Sequence, residues 1–421
     1  MSTVRLRPTR HVTAAVCLTV LLAGCGHAQP HLKLPDLRIT EPSFRATLVG
    51  YTSGAVLGGN KVDVLLNGEE IFPAKLAAIR SARKSITFAQ YVFEEGAPAA
   101  DIARALAERC RAGVKVHVLV DAVGSLAIPS QYRDGMTEAG CQVASYRPLT
   151  PWTFDRANHR NHRRILVVDG RVGITGGSGT SGKWSGNGKQ KGQWRDTDIR
   201  VEGPVAGQLQ GAFAENWLEA TGVALGGLDY FPRPIEAKGD VESHVVRSSP
   251  AGGSVEMYTM FLLAMASARR TIYITNPYFV PDDTMIETLI QARQRGVRVV
   301  LLLPGAIDHN LVRGASRSQF GRLFKAGIQV YEYTPALLHS KTMVIDSVWA
   351  TVGSTNLDRR SFELNEELNL VVYDADVARR LERVFVEDLE HSRPVTYEQW
   401  KGRGIASRIL EILAFPIRGQ L

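Results

Sequence analysis

Cysteine is scarce in this sequence, with four in 421 residues, and no His/Cys group stands at metal-ligand spacing. That excludes a structural zinc site as the organising element, and no metal or other cofactor is expected. Cys110 falls in a helical pattern and Cys141 at the start of a strand, where a disulfide and two buried thiols are both open readings. Acid is absent from residues 1–24, which carry Arg5, Arg7 and Arg10 ahead of the apolar run Val12 to Ala23. That run is too short to cross a bilayer comfortably. It reads as a secretory leader rather than a membrane span.

What is present is a basic surplus: the formal charge is +8 and the sequence pI near 9.3. The leader takes three Arg and no acid with it, so the mature chain keeps +5. Such a surplus suits an anionic partner, phospholipid headgroup or nucleic acid, without choosing between them. The small residues Leu22-Ala23-Gly24 before Cys25 look like a bacterial lipobox, which would make Cys25 the lipidated first residue of the mature protein. Gly26, rather than Asp, leans towards the outer membrane in a Gram-negative envelope. An ordinary signal peptide with an incidental Cys and a retained N-terminal anchor are the alternatives.

The chemistry concentrates in the stretch His339 to Glu367, HSKTMVIDSVWATVGSTNLDRRSFELNEE. His339, Lys341 and Asp346 form an H-x-K-x4-D pattern, and Gly353-Ser354-Thr355-Asn356 follows. The intervening Thr-Met-Val-Ile is apolar and β-branched, so it predicts a buried strand with His339 and Lys341 on one face. An imidazole can bond to phosphorus, while an ammonium and an Asn amide offer donors where charge develops. A lone H-x-K would more often be the exposed start of a strand. Here the pattern recurs as His162, Arg164 and Asp169, followed at the same offset by Gly176-Gly177-Ser178-Gly179. Two half-sites of one kind suggest one active site built from both.

The duplication extends beyond the motifs. Ile79 to Ile86 matches Met265 to Ile272, Arg111 to Val116 matches Gln294 to Val299, and Ala139 to Val143 matches Ala326 to Val330. Each half alternates helical stretches with short apolar strands, which predicts an α/β chain whose mixed or largely parallel sheet is flanked by helices. The expected organisation is a leader at 1–24, a tether at 25–58, a first half at 59–222, a linker at 223–253, a second half at 254–396, and a C-terminal helical segment at 397–421. The Gly- and Lys-rich stretch Gly177 to Gln193 reads as a mobile surface loop, either a lid or a plain connector.

The paired motifs resemble the phospholipase D superfamily. The flanking text, Asn60 to Leu66, Glu70-Ile71-Phe72, Gly124-Ser125, Trp194-Arg195-Asp196-Thr197, Asn276 to Pro281 and Arg359 to Glu367, is similar to its cardiolipin synthase-like branch. The likeness runs from about Gly59 to the C-terminus. It implies two pseudo-symmetric halves sharing one cleft and a ping-pong route through a phosphohistidine, with His162 as nucleophile and His339 as general acid. The positive field would come from Arg164, Lys341 and Asn356 rather than from a metal. The family pattern points to Asp196 as the acceptor behind the first His and Glu367 behind the second, with Glu366 as a competitor. Gly177 and Ser354 belong to the two turns. Asp169 and Asp346 complete the catalytic signature, although a strand-end role fits them better than substrate contact. Two departures stand out: Arg164 replaces the usual Lys, and Gly179 stands where many members have Asn.

The resemblance implies phospholipid membranes as partner, with phosphatidylglycerol first and phosphatidylethanolamine second, and a protein anchored on the periplasmic side of the envelope. Both half-sites in one chain allow a monomer. A nuclease of the same superfamily and a weakened, phospholipid-binding envelope lipoprotein are the competing readings; the anchor argues against nucleic acid. Trp152, Phe154, Trp184 and Trp194 could line an acyl entrance or simply fill a core. Ile405 to Ile417 reads as a short C-terminal helix, interfacial or docked, and His309, Arg313 and Arg317 as a headgroup contact or a solvated helix face.

Overall fold

A computed structural model describes residues 32–52, 54–149, 158–249, 255–306 and 310–404. Pro35–Leu421 forms one compact unit; of Met1–Leu34, residues 32–34 are described and carry no regular structure. The first half contributes β1 (Leu57–Leu66), β2 (Ser85–Gln90), β3 (Lys115–Asp121), β4 (Gln142–Tyr146), β5 (Ile165–Val168), β6 (Val172–Gly176), β7 (Trp194–Arg195) and β8 (Thr197–Glu202). The second contributes β9 (Val241–Ser248), β10 (Thr271–Thr275), β11 (Phe279–Val280), β12 (Arg298–Pro304), β13 (Gln329–Tyr333), β14 (Leu337–Leu338), β15 (Thr342–Ile345), β16 (Trp349–Gly353), β17 (Leu357–Asp358), β18 (Glu367–Tyr373) and β19 (Ser392–Val395).

Fifteen of these strands make one sheet, in the order β19-β13-β12-β10-β15-β16-β18-β9-β1-β8-β6-β5-β2-β3-β4. Outward from the central β1/β9 pair, each half repeats the same succession. β2-β3-β4 and β10-β12-β13 are parallel, and the inner strands are antiparallel. This is the mixed sheet that the helix–strand alternation predicts. β2 is buried along its whole length, as are six of the seven residues of β12, because helices cover the sheet faces.

The local signals act where the sequence placed them. The helix Ala97–Arg111 buries Ile102, Ala105 and Leu106, and Gly113 just beyond it takes φ 86°, the left-handed conformation that ends a helix cheaply. Its counterpart Asp283–Gln294 starts at Asp282, whose carboxylate accepts from the Met285 N–H. One core cluster runs through the junction of the halves. Leu209, Phe213 and Trp217 of the helix Ala206–Thr221 join Leu368, Leu370, Leu381 and Phe385 there. The halves therefore share a core.

Several expectations need correction. The segment 25–58 is not all tether: Pro42–Tyr51 is a helix that buries Phe44 and Leu48, and the Ile39 N–H donates to Ser267 O. With two anchors in ten residues it shows no usable period. The segment 223–253 is not only a linker, since it contains β9 at the centre of the sheet. Ser243, His244 and Ser248 are buried in β9, so apolar patterning misses it. In the Gly177 to Gln193 stretch, Gly177–Ser181 and Trp184 are buried, and Lys189–Gly192 are exposed. The C-terminal segment holds a short helix, Tyr397–Lys401, with a Thr396/Gln399 capping box. The leader, Cys25, Trp152, Phe154, His309 and Ile405 to Ile417 lie outside the described residues.

Cys110 and Cys141 are disulfide-bonded, tying the end of a helix to the residue before β4 across 31 positions. In the second half the same place carries Arg293, whose Nε donates to Gly327 O at 3.2 Å. Closing a loop of that length restricts the unfolded chain by about 3.7 kcal/mol. Reduction should therefore lower the urea midpoint with little change in slope, and Cys110→Ala/Cys141→Ala should reproduce it. An unchanged midpoint would show that the bond contributes nothing.

Candidate active site

The two half-sites are built alike. His162 and Arg164 lie in extended chain just before β5, and His339 and Lys341 just before β15. At the far end of each strand the chain turns at Asp169 (φ 52°) and Asp346 (φ 54°). The Asp169 carboxylate accepts from the backbone N–H groups of Arg83, Lys84 and Ser85 at 2.7–3.0 Å. Asp346 does the same for Arg269, Arg270 and Thr271 at 2.7–2.8 Å. These Asp residues fix the strand register against β2 and β10. These contacts agree with the strand-end role read for them rather than with substrate contact.

What brings the halves together is a backbone exchange. β14 pairs with β7, so the His339 N–H donates to Arg195 O at 2.8 Å. Asn161 bridges Glu366, and the His162 N–H donates to Glu366 O at 2.9 Å. Each His is thus docked one residue before an acid of the opposite half. His339 Nδ1 lies 2.7 Å from Asp196, and His162 Nδ1 lies 2.8 Å from Glu367. The expected pairing, Asp196 with the first His and Glu367 with the second, is reversed. Glu366 serves neither ring; it binds Arg163 and Ser249.

Each acid is held from behind. Asp196 accepts from the Trp184 indole at 2.8 Å, and Glu367 from Ser354 Oγ at 2.5 Å and Ser361 Oγ at 2.9 Å. Trp184 and Ser361 occupy equivalent positions in the two halves, 177 residues apart like the two His residues. Gly177 is required: a Cβ there would fall 2.1 Å from Asp196 Oδ1. Gly179 is explained too, because a Cβ would fall 2.7 Å from the Trp184 ring. The indole fills the room that an Asn would need.

The cations sit against their own His. Lys341 Nζ is 2.9 and 3.0 Å from the two ring nitrogens of His339 and donates to its carbonyl at 2.7 Å. Arg164 Nη2 is 3.1 Å from His162 Nε2, and Nη1 donates to the His162 carbonyl at 2.9 Å. A carboxylate at Nδ1 and a guanidinium donor at Nε2 assign His162 the Nδ1–H tautomer, with a lone pair on Nε2. Asn356 lies in the turn after β16, with its Oδ1 buried and unpartnered among the described residues. Tyr91 packs edge-on to His162 at 4.9 Å, and Trp184 and Trp194 wall His339 at 5.3 and 4.9 Å. Trp184 belongs to a buried apolar cluster and Trp194 packs against it, so both indoles fill a core beside the His339 ring.

The family model "Cardiolipin synthase, PLD-like domain" matches residues 76–215 and 262–389. The chain belongs to the cardiolipin synthase-like branch of the phospholipase D superfamily. It is 36% identical over 352 residues to a cardiolipin synthase of Geobacillus kaustophilus, covering 83% of this chain and 70% of the relative. It is equally similar, 36% over 344 residues, to cardiolipin synthase A of Pseudomonas putida, with 81% and 71% covered. The fold matches the crystal structure of phosphatidylserine synthase from Haemophilus influenzae with a TM-score of 0.66 at 12% identity, covering 85% of this chain and 94% of that one.

In this phospholipase D-like cleft burial decides the charge states. Burial, reinforced by Arg164 and Lys341, holds His162 well below the usual imidazole range. His339 is lowered to about 3 by burial and Lys341, although Asp196 opposes them. Burial raises Glu367 to about 7. For Asp196 burial also works upward, but His339, Lys341 and Trp184 together outweigh it and the carboxylate stays ionised. Both rings are therefore neutral beside two cations. A phosphodiester anion lying between Arg164 and Lys341 would offset that charge and let one ring hold a proton.

The sequence did not point to Ser361 or Tyr91 as site residues, nor to Trp184 as the donor behind Asp196; the shared 177-residue offset was the available signal for Trp184 and Ser361. Sequence reasoning also missed Lys75, buried 2.8 Å from Asp198 and 2.7 Å from Ser178 Oγ. Asp196 and Asp198 on one strand resemble alternating surface acids, yet both are buried.

The crossed pairing has a direct check. Asp196→Asn should shift the Nδ1 proton resonance of His339 and leave that of His162 in place, with Glu367→Gln doing the reverse; the opposite assignment would restore the uncrossed scheme. Turnover should fall by about a hundredfold or more in each. Stability should also depend on pH. His117 and His244 are lowered to about 4 and His339 to about 3, mainly by burial, against an ordinary 6.5. With His162, these four favour the fold fully above pH 6.5 and lose that contribution as pH falls towards their folded values. Glu367 and Asp358, raised to about 7, act oppositely between about 4.5 and 7. Burial raises Glu366 and Asp121 in the same sense, so the histidine contribution is read by substitution. In His244→Gln the thermal midpoint should lose less between pH 6.5 and pH 4.5 than in the unmodified protein, and an identical pH profile would contradict a buried neutral ring at that position.

Proposed function

We propose that this protein is a phosphatidyltransferase that makes cardiolipin, using phosphatidylglycerol as donor and acceptor, with phosphatidylethanolamine as a second candidate. The observation that carries this is the pair of buried imidazoles, each backed by a carboxylate of the other half and flanked by its own cation. It is supported by the likeness to cardiolipin synthases along most of the chain. His162 Nε2 attacks phosphorus, the phosphorus–oxygen bond to the leaving alcohol breaks, and His339 supplies its proton. An incoming hydroxyl then attacks the phosphohistidine, gives its proton to His339, and frees His162. Arg164 and Lys341 stabilise the charge that builds on the phosphoryl oxygens. Arg164 stands against His162 as Lys341 stands against His339, which favours an active first half over a weakened one.

The disulfide favours an oxidising compartment, and with the lipobox-like Leu22 to Cys25 it supports a lipid-anchored protein on the periplasmic side. Among the described residues no helix is long and apolar enough to cross a membrane. Both half-sites lie in one chain, which is compatible with a monomer.

The test is incubation of the mature protein with phosphatidylglycerol vesicles, alone and with phosphatidylethanolamine, read by lipid mass spectrometry. Cardiolipin should form and should fall by about a thousandfold or more in His162→Ala and in His339→Ala. Phosphatidic acid without cardiolipin would make it a phospholipase. Cleavage of DNA with no lipid product would overturn the proposal.

A further inference from the structure

A second cationic site lies outside the residues that the proposed reaction uses. Glu332 in β13, with its side chain 4% exposed, accepts from Arg317 Nη2 at 2.6 Å and from Arg393 Nη2 and Nε at 2.7 and 3.1 Å. Arg313 Nη2 stands 3.8 Å away. Three guanidiniums around one carboxylate leave a local surplus of two positive charges. Burial and the neighbouring Arg317 lower Arg313, as expected where cations outnumber anions. Arg317 Nε is buried and has no partner among the described residues.

Arg317, Glu332 and Arg393 line a cleft of about 260 Å³ together with Pro394, Val395, Gln399 and Trp400. The tryptophan is fixed: its Nε1–H donates to Arg317 O at 2.8 Å, and the Arg403 guanidinium lies 4.1 Å above its ring. A Cβ on Gly321 would meet that ring at 2.5 Å, so the glycine admits the indole. One wall is thus a cluster of guanidinium forks and the other is rigid and apolar. The repeat puts Ser145 where Glu332 stands, so the first half has no equivalent carboxylate. The cluster is an addition to the duplicated catalytic plan.

We propose that this cleft binds the phosphate of a glycerol phosphate ester, either a soluble glycerophosphate or the headgroup of an anionic phospholipid. Guanidinium forks match phosphate oxygens in pairs, and Glu332 holds them side by side at a tolerable repulsion. Trp400, Pro394 and Val395 then meet the glycerol and the start of an acyl chain. On the opposite face of β13, Tyr333 donates to Gly188 O at 2.9 Å, and the chain runs on through β14 to His339. The assignment rests on charge and shape, and stands whether or not the protein is a phosphatidyltransferase.

The experiment measures glycerol phosphate binding by calorimetry and sedimentation with vesicles of phosphatidylglycerol in phosphatidylcholine, using the full mature chain. Arg393→Gln removes the most exposed cation, 60% exposed, and should weaken binding about tenfold. Glu332→Gln removes the competing carboxylate and should tighten it. Hydrolysis of a soluble bis-aryl phosphodiester reports the catalytic cleft separately and should be unchanged in Arg393→Gln. Opposite shifts for the soluble ester alone identify a free glycerophosphate site, and opposite shifts on vesicles as well identify a headgroup site. No shift in either variant, or the same direction in both, overturns the proposal. Absence of hydrolysis in the unmodified protein would count against the proposed function and leave this inference standing.

Discussion

The structure depends on two crossed hydrogen bonds, His162 to Glu367 and His339 to Asp196. Each joins an imidazole of one half to a carboxylate of the other, so neither half holds an oriented ring by itself. The β14/β7 pairing and the Asn161–Glu366 bridge put the backbone in place first, one residue away from each acid. Orientation of the rings is then a consequence of how the halves dock. Catalysis and the junction of the halves are one constraint.

That constraint is costly, because it buries charge. Arg164, Lys341, Asp196 and Glu367 are all nearly inaccessible, and a lone ion in such surroundings is strongly disfavoured. The surroundings answer with pairing. Arg163, wholly buried, spends its guanidinium on Glu366, Glu215, Asn216 and three carbonyls, and Arg195 crosses to Asp388 at 2.9 Å. Arg163–Glu366 and Arg195–Asp388 cross between the halves, so ion pairs that fasten the junction surround the two imidazoles. The shared apolar core behind them excludes water from the same region.

The two half-sites are equivalent in plan and different in material. Behind Asp196 stand a glycine and an indole; behind Glu367 stand two hydroxyls. Lys75 and Asp198 form a buried ion pair against Ser178, whereas the repeat offers Phe261 and Asn369 against Thr355. The results are unequal acids, one kept ionised by its neighbours and one raised to about 7 by burial. The proposed reaction, in which one imidazole attacks and the other donates a proton, would use such a difference.

Much of this was legible in the chain itself. The duplication, the two motifs, the mixed sheet and the buried strands after each His follow from local spacing and apolar runs, which are properties of neighbouring residues. The signature Asp residues could be placed at strand ends because four residues of strand separate them from the half-site. The partner of each His could not be read, because Asp196 and Glu367 are each compatible with either ring until the halves dock. Nor could β9, whose polar residues are buried by a sheet formed from distant segments, or the helix Pro42–Tyr51, which buries only Phe44 and Leu48 and reaches Glu242 and Tyr373 through Arg45. Sequence determined which groups the protein owns and the strands that carry them. Tertiary structure decided which acid faces which imidazole, because that choice is made by two backbone bridges between segments more than 140 residues apart.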